Sequence, residues 1–284
     1  MNALTLKSFA KLNLVLDVLH KRPDGFHELR TIFERIDLHD TLAFKKTSKD
    51  IVIRCLHPHV PLGPKNLVYR IARKLKTDFA VSEGVEITIQ KRIPVAAGLA
   101  GGSSNAAAAL EGLNILWNLN LSRKQLMEYA AAVGSDVAFF LYDTPYALGE
   151  GRGEKIKVLG IKTKLWHVLV TPRLKVYTKD VFGGLNLKLT KKRDDVSILL
   201  PFLRENNLYS LGSSLSNDLE PSILSLKPHL GRLKERLLDA GAVGVCFSGS
   251  GPSVFALAES QEHAQGLRAK FDRRFSQVFV VSTC

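Results

Sequence analysis

Cysteine is scarce in this sequence, three in 284 residues, and the scarcity removes several architectures at once. Cys55, Cys246 and Cys284 are odd in number and share no metal-ligand spacing, which excludes a disulfide-stapled secreted scaffold and a cysteine-built zinc site. Free thiols in a reducing, cytoplasmic compartment are the expectation. No apolar run is long enough to cross a bilayer. The amino-terminal apolar residues alternate with Lys7, Lys11, Asn13 and Asp17, unlike the unbroken apolar stretch of a secretory signal. Acidic residues are also in deficit, 27 against 40 Lys and Arg, for a formal charge of +13. The basic residues are nevertheless dispersed. Their densest group, Lys188, Lys191, Lys192 and Arg193, runs straight into Asp194 and Asp195 and carries no interleaved aromatics. That pattern fits a solvated loop with general attraction for anions, not a stacking surface for nucleic acid. His57 and His59, on either side of Pro58, have no cysteine or carboxylate company and read as loop residues instead of metal ligands.

Two phosphate-binding signatures are missing as well. No lysine follows the glycines at 101–102, so there is no P-loop. Gly249-Ser250-Gly251 is followed by Pro252 and a strand-like run, so there is no dinucleotide fingerprint.

What remains is an ordinary globular composition, 45% hydrophobic and 24% charged, at a length that favours two modest cores over one large one. Alternation over residues 3–18 predicts a strand on which Lys11 and Asn13 share a face. Arg22-Pro23-Asp24-Gly25 is a turn signal. Further strands are predicted near 28–37, 41–46, 51–55 and 84–90, with a helix over 66–77. A helix follows from Ser103 to Trp117, and the Ser122/Gln125 capping box opens another that Gly134 ends. A short segment, 137–141, starts at Ser135 or Asp136. After a boundary near 149–153 come strands at 166–171, 243–247, 253–257 and 277–282, and helices at 178–183, 196–205, 222–239 and 260–273. Strand and helix alternate without a regular repeat, which is an α+β pattern.

The most informative stretch is residues 94–110, PVAAGLAGGSSNAAAAL. Gly98, Gly101 and Gly102 permit left-handed dihedrals and a close approach of backbone to an anion. Ser103 and Ser104 suit a helix N-cap, and the alanine-rich helix behind them brings free N–H groups and the positive end of its dipole to one point. A loop of this kind cradles phosphate. Without a Walker lysine, a phosphoryl-transfer site still needs a basic group at the transferred phosphate and a carboxylate at the acceptor hydroxyl. Lys11 and Asp136 are the candidates.

These residues carry a resemblance. Ala10-Lys11-Leu12-Asn13-Leu14, the loop 94–106 and Ser248-Gly249-Ser250-Gly251-Pro252-Ser253 match the three ordered motifs of the GHMP small-molecule kinases. Residues 22–29 (RPDGFHEL) and 134–137 (GSDV) narrow the match to the members that act in the non-mevalonate isoprenoid pathway. The resemblance implies a two-domain fold, divided here as 1–158 and 159–284, with the active site in the cleft between. The amino-terminal domain would resemble the second domain of ribosomal protein S5, and the carboxyl-terminal one a ferredoxin-like domain. It further implies ATP as phosphoryl donor with Mg²⁺, and a small-molecule substrate, cytidine diphosphate-linked methylerythritol, phosphorylated on its 2-hydroxyl.

By the same resemblance, Pro94, Val95, Ala96, Ala97, Gly98, Leu99, Ala100, Gly101, Gly102, Ser103 and Ser104 serve the ATP phosphates, with Asn66 and Lys91 near the nucleotide base. Asp136 accepts the proton of the substrate hydroxyl, and Lys11 keeps Asp136 ionised and stabilises charge on the transferred group. Asn13 orients the substrate. His27 hydrogen-bonds the cytosine edge, Phe26 and Phe182 stack on its faces, and Thr178 contacts the substrate nearby. The sequence departs from the pattern at Phe26 (usually tyrosine), Asn105 (often aspartate) and Ala138 (often proline). Homoserine and mevalonate kinases share the ATP motifs. The Asp24–His27 segment separates them, because an aromatic beside an imidazole suits a flat heterocycle. An RNA-binding protein on an S5-like fold would have no use for the loop together with Lys11 and Asp136.

Overall fold

A computed structural model describes residues 3–186, 195–271 and 276–284. The basic group at 188, 191, 192 and 193, expected to be a solvated loop, lies outside them. In chain order the elements are β1 (Ala3–Lys21), β2 (His27–Thr47), β3 (Ile51–Arg54), α1 (Leu67–Asp78), β4 (Gly84–Gln90), α2 (Gly101–Leu116), α3 (Arg123–Val133) and α4 (Val137–Phe140). There follow β5 (Tyr146–Gly151), β6 (Lys155–Val158), β7 (Trp166–Pro172), α5 (Thr178–Gly183), α6 (Asp195–Glu205), α7 (Leu208–Ser213) and β8 (Ser216–Asn217). The chain ends with α8 (Glu220–Leu226), α9 (His229–Asp239), β9 (Gly244–Phe247), β10 (Val254–Ala258), α10 (Gln261–Ala269) and β11 (Ser276–Ser282).

Two compact units result, both discontinuous in sequence: Met1–Ala10, Leu38–Val95 and Ala100–Asp143 form one, and Lys11–Asp37, Ala96–Leu99 and Thr144–Cys284 the other. The long strands β1 and β2 each contribute residues to both.

In the first unit β3 and β4 run parallel, with Ile53 opposite Ile87, and α1 is the crossover that a parallel pair requires. Asn66 caps α1 by accepting from the Val68 amide, and Val68, Ile71, Ala72 and Leu75 form its buried stripe. Residues 41–47 of β2 pair antiparallel with β4. The buried alanines Ala106, Ala107, Ala108 and Ala109 and the glycine at 112 let α2 lie close to its neighbours; a Cβ on Gly112 would fall 2.6 Å from the Phe44 ring. The Ser122/Gln125 capping box opens α3 as its sequence predicts. The two strands predicted near 28–37 and 41–46 are one continuous strand. His39 and Asp40 look like a polar interruption, yet the Asp40 carboxylate is fully buried and satisfied, so the ladder continues through it.

In the second unit β7, β9, β10 and β11 form an antiparallel sheet in the order β11-β7-β10-β9. With α9 before β9 and α10 after β10, the succession is βαββαβ with strand order fourth-first-third-second, the ferredoxin-like arrangement that was expected. The stretch from α5 to α8 is inserted after its first strand. Val168, Val170, Phe247, Val254 and Ala256 face Leu230, Leu237, Ala264 and Leu267 in its core. The single helix expected over 222–239 is two helices. Pro228 lacks an N–H and forces Lys227 out of the helical region, to φ −142°, ψ 71°. Elsewhere in this unit β8 pairs with β1 in parallel, and β5 pairs with both β2 and β6. The three cysteines are free. Among the described residues no helix is long and apolar enough to cross a membrane.

Candidate active site

The second unit assembles one group of candidates from its strands. The period of two on β1 puts Lys11 and Asn13 side by side, and the Lys11 ammonium donates to Asn13 Oδ1 at 2.5 Å. Asn13 Nδ2 in turn donates to Thr31 Oγ1 (2.8 Å), and that hydroxyl donates to the Val15 carbonyl (2.5 Å). Lys11 also lies 5.5 Å from the centre of the Phe33 ring, within cation–π range. It is only 4% exposed, so this lysine is a buried charge and not a surface one. The turn from β9 to β10 approaches the same point. Gly249 and Gly251 are left-handed, and Asn217 Nδ2 holds the Phe247 and Gly249 carbonyls. A Cβ on Gly249 would stand 3.4 Å from both Lys11 Nζ and Asn13 Oδ1 and 3.2 Å from the Gly98 carbonyl oxygen. Ser248 Oγ donates to that same carbonyl (3.0 Å), while a Cβ on Gly98 would strike the Ser248 carbonyl oxygen at 2.0 Å. The Lys11 strand, the centre of the glycine loop and the Ser248–Ser253 turn therefore meet within this unit.

The loop itself differs from expectation in its dihedrals. Its left-handed residues are Ala96, Gly98 and Ala100, at every second position, whereas Gly101 and Gly102 are helical. Helix α2 consequently starts two residues early, with Ala100 at the N-cap and no side chain capping it; Ser103 and Ser104 lie inside the first turn and are not caps. Ser104 accepts instead from the Ser8 hydroxyl (2.8 Å). The glycines at 101 and 102 answer different constraints. A Cβ on Gly101 would meet Ile93 Cγ2 at 2.9 Å and Lys91 Nζ at 3.1 Å, while one on Gly102 would meet nothing within 4 Å. The first amides of an α-helix lack intrahelical partners, and Gly102 is exposed with open space at that end of α2.

A second group in the same unit is aromatic. Gly25, at φ 84°, completes the turn between β1 and β2, and the Arg22 amide donates to the Phe26 carbonyl across it (2.8 Å). His27 stacks on Phe182, ring centres 5.1 Å apart and 27° between planes. Phe26 is largely exposed, under the guanidinium of Arg152 at 4.9 Å. Thr178 and Phe182 are one turn apart on α5, and the Thr178 hydroxyl hydrogen-bonds Ser250 Oγ (2.8 Å). Burial, with Lys21 adding positive charge nearby, holds the His27 imidazole below its ordinary pKa. It is therefore neutral at neutral pH and offers one donor and one acceptor.

In the first unit, Asp136 occupies the N-cap position of the short helix α4, half-buried, without capping it through its side chain. The turn ahead of it lies near the first turn of α2: a Cβ on Gly134 would be 3.9 Å from Ser103 Oγ. Asn66 spends its side chain on Val68 N and the Pro61 carbonyl. Lys91, buried, pairs with Asp40. Thr31, Asp40 and Asn217 are not among the candidates the sequence points to, whereas Ser250 lies within the Ser248–Ser253 motif. Thr31 was within reach of the sequence, because the alternation that pairs Lys11 with Asn13 also pairs Thr31 with Phe33 on β2.

The family described as GHMP kinases N terminal domain matches residues 66–144, and GHMP kinases C terminal matches residues 199–277. The chain belongs to the GHMP kinases, and it is an ATP-dependent kinase acting on a small molecule. More particularly, it is 43% identical to the 4-diphosphocytidyl-2-C-methyl-D-erythritol kinase of Exiguobacterium sibiricum, over 97% of this chain and 96% of that one. A crystal structure of 4-(cytidine 5'-diphospho)-2C-methyl-D-erythritol kinase superposes with a TM-score of 0.85 at 31% identity, covering 98% of both chains. Homoserine kinase from Cytophaga hutchinsonii is similar too, with a TM-score of 0.76 at 25% identity over 99% of this chain and 94% of that one.

Proposed function

We propose that this protein transfers the γ-phosphoryl group of ATP to the 2-hydroxyl of 4-diphosphocytidyl-2-C-methyl-D-erythritol, a step toward isoprenoid precursors. The observation that carries the substrate choice is the His27–Phe182 stack, with Phe26 adjacent in sequence and Thr178 one turn before Phe182. A flat heterocycle has a use for two aromatic faces and a neutral imidazole edge, and homoserine has none.

In this reading residues 94–104 bind the ATP phosphates through backbone amides and the amino-terminal end of α2. Asn66 and Lys91 neighbour the nucleotide base by shape, since Val68, Pro61 and Asp40 occupy their polar ends. Asp136 accepts the proton from the substrate hydroxyl as the new P–O bond forms. Lys11, oriented by Asn13, stabilises charge on the transferred group, and Asn13 positions the substrate. Mg²⁺ takes hard oxygen donors and keeps several waters, which suits an ion carried on the triphosphate, where it would supply charge neutralisation. The functional domains proposed are 1–158 and 159–284, each containing one of the two matched segments, although the compact units divide differently and group residues 11–37, 96–99 and 144–158 with the carboxyl-terminal half.

The test is ATP consumption against a panel of alcohols: the cytidine-linked methylerythritol, homoserine and mevalonate. A site built to hydrogen-bond one ligand rejects those lacking its groups by about 10⁴-fold in kcat/KM, so only the first should support turnover. Equal or better turnover of homoserine or mevalonate would leave a GHMP kinase of other specificity.

A further inference from the structure

Asp40 is fully buried in the middle of β2, and its carboxylate gathers donors from both ends of the glycine loop. Oδ1 accepts from the Arg92 amide (2.7 Å) and the Ile93 amide (2.9 Å), the residues that lead into the loop. Oδ2 accepts from Asn105 Nδ2 (2.9 Å), in the first two turns of α2 where the loop ends, and from the Lys91 ammonium. The network continues at the exit: Asn105 Nδ2 also donates to Ser8 Oγ (2.8 Å), which donates to Ser104 Oγ (2.8 Å). Lys91 Nζ lies so close beneath the helix start that a Cβ on Gly101 would approach it to 3.1 Å. All of these residues belong to the first unit.

We propose that Asp40 is the positioning residue of the phosphate loop: it fixes the separation and direction of the loop's two ends, with Lys91 as its counter-ion and Asn105 as its link to α2. The inference deepens the reading of residues 94–104 as the ATP-phosphate loop and rests on it. A loop whose left-handed positions include two alanines, Ala96 and Ala100, holds a conformation that alanine does not favour, so it must be over-determined by its surroundings. The four-donor carboxylate supplies that constraint at both anchor points. A neutral amide could not. Asp40→Asn would keep an acceptor for the two backbone amides but turn an NH₂ group toward the Lys91 ammonium and the Asn105 amide, donor against donors.

The experiment is calorimetric titration of the full chain with the Mg²⁺ complex of AMP-PNP and, separately, with the cytidine substrate. Three variants are compared, Asp40→Asn, Asn105→Ala and Gly102→Val, each checked for folding by thermal melting. Asp40→Asn is expected to weaken AMP-PNP by about tenfold or more and Asn105→Ala by about threefold, the range for a buried group that loses a partner. Affinity for the cytidine substrate should not change, a split that a merely structural lesion would not produce. Gly102→Val tests the underlying reading, since its side chain enters open space at the helix start. If Gly102→Val weakens AMP-PNP while a folded Asp40→Asn does not, the positioning role is wrong and the phosphate loop stands. If Gly102→Val has no effect either, the phosphate-loop reading itself fails. Should Asp40→Asn not fold, Asn105→Ala decides, because it keeps the Lys91 pair and both backbone bonds; unchanged AMP-PNP affinity in that variant would overturn the proposal.

Discussion

Both ends of the Asn13 amide are committed, Oδ1 to Lys11 and Nδ2 to Thr31, so its orientation is fixed and it holds the Lys11 ammonium in one direction. Asp136 is the complementary case, a half-buried carboxylate at the head of a four-residue helix. Asp136→Asn preserves its shape and removes the proposed proton acceptor. Turnover should fall by about 10²–10⁴-fold while the Michaelis constant for ATP barely moves, as initial-rate curves would show. A variant keeping more than about a tenth of normal turnover would remove Asp136 from the role of base. His27 predicts a pH dependence. Because its pKa is depressed, the neutral imidazole persists below the usual value of about 6.5 and is lost only as pH falls further. The Michaelis constant for the cytidine substrate should therefore be flat above that value and rise on acidification, whereas His27→Gln should flatten the profile. Lys11 and Asn13 were legible in sequence because strand alternation is a local rule. Asp40 was not, because its partners come from residues 91–93 and 105, and nothing local distinguishes a satisfied carboxylate from a surface one.

At the scale of elements, the start of α2 is the informative case. Serine after glycine reads as a cap, yet the left-handed Ala100 turns the chain into the helix earlier and leaves the serines inside it. Two adjacent glycines then separate in function. Gly101→Val forces a branched side chain against Ile93 and Lys91, and overpacking of this kind costs about 1–3 kcal/mol, so its melting temperature should drop. Gly102→Val meets nothing within 4 Å and should melt close to the parent protein. Equal melting of the two variants would show that Gly101 is not packed as described. Helix and strand positions were otherwise readable wherever a period or a cap was present: the Ser122 box, the α1 stripe and the four strands of the ferredoxin-like sheet all stand where the pattern put them. The break at Lys227–Pro228 was also written in the sequence, since the residue before a proline leaves the helical region; apolar periodicity on both sides masked it. The two-residue strand β8 and the one-and-a-half-turn helix α7 are too short to carry a period at all.

For the whole molecule, fold alone does not choose a substrate, because homoserine kinase shares the architecture. In the proposed reading the choice rests on a few side chains, Phe26, His27, Thr178 and Phe182, and not on the architecture. A formal charge of +13 adds a general pull on the polyanionic nucleotide and on a diphosphate-linked alcohol, but it distinguishes neither. The most direct test of the account is phosphorus NMR of the products after incubation with ATP, Mg²⁺ and 4-diphosphocytidyl-2-C-methyl-D-erythritol. The account predicts one ADP for each new phosphomonoester, with the phosphorus coupled to the methyl-bearing carbon and the cytidine diphosphate intact. ATP cleaved to free phosphate, or a phosphoryl group on any other hydroxyl, would contradict it.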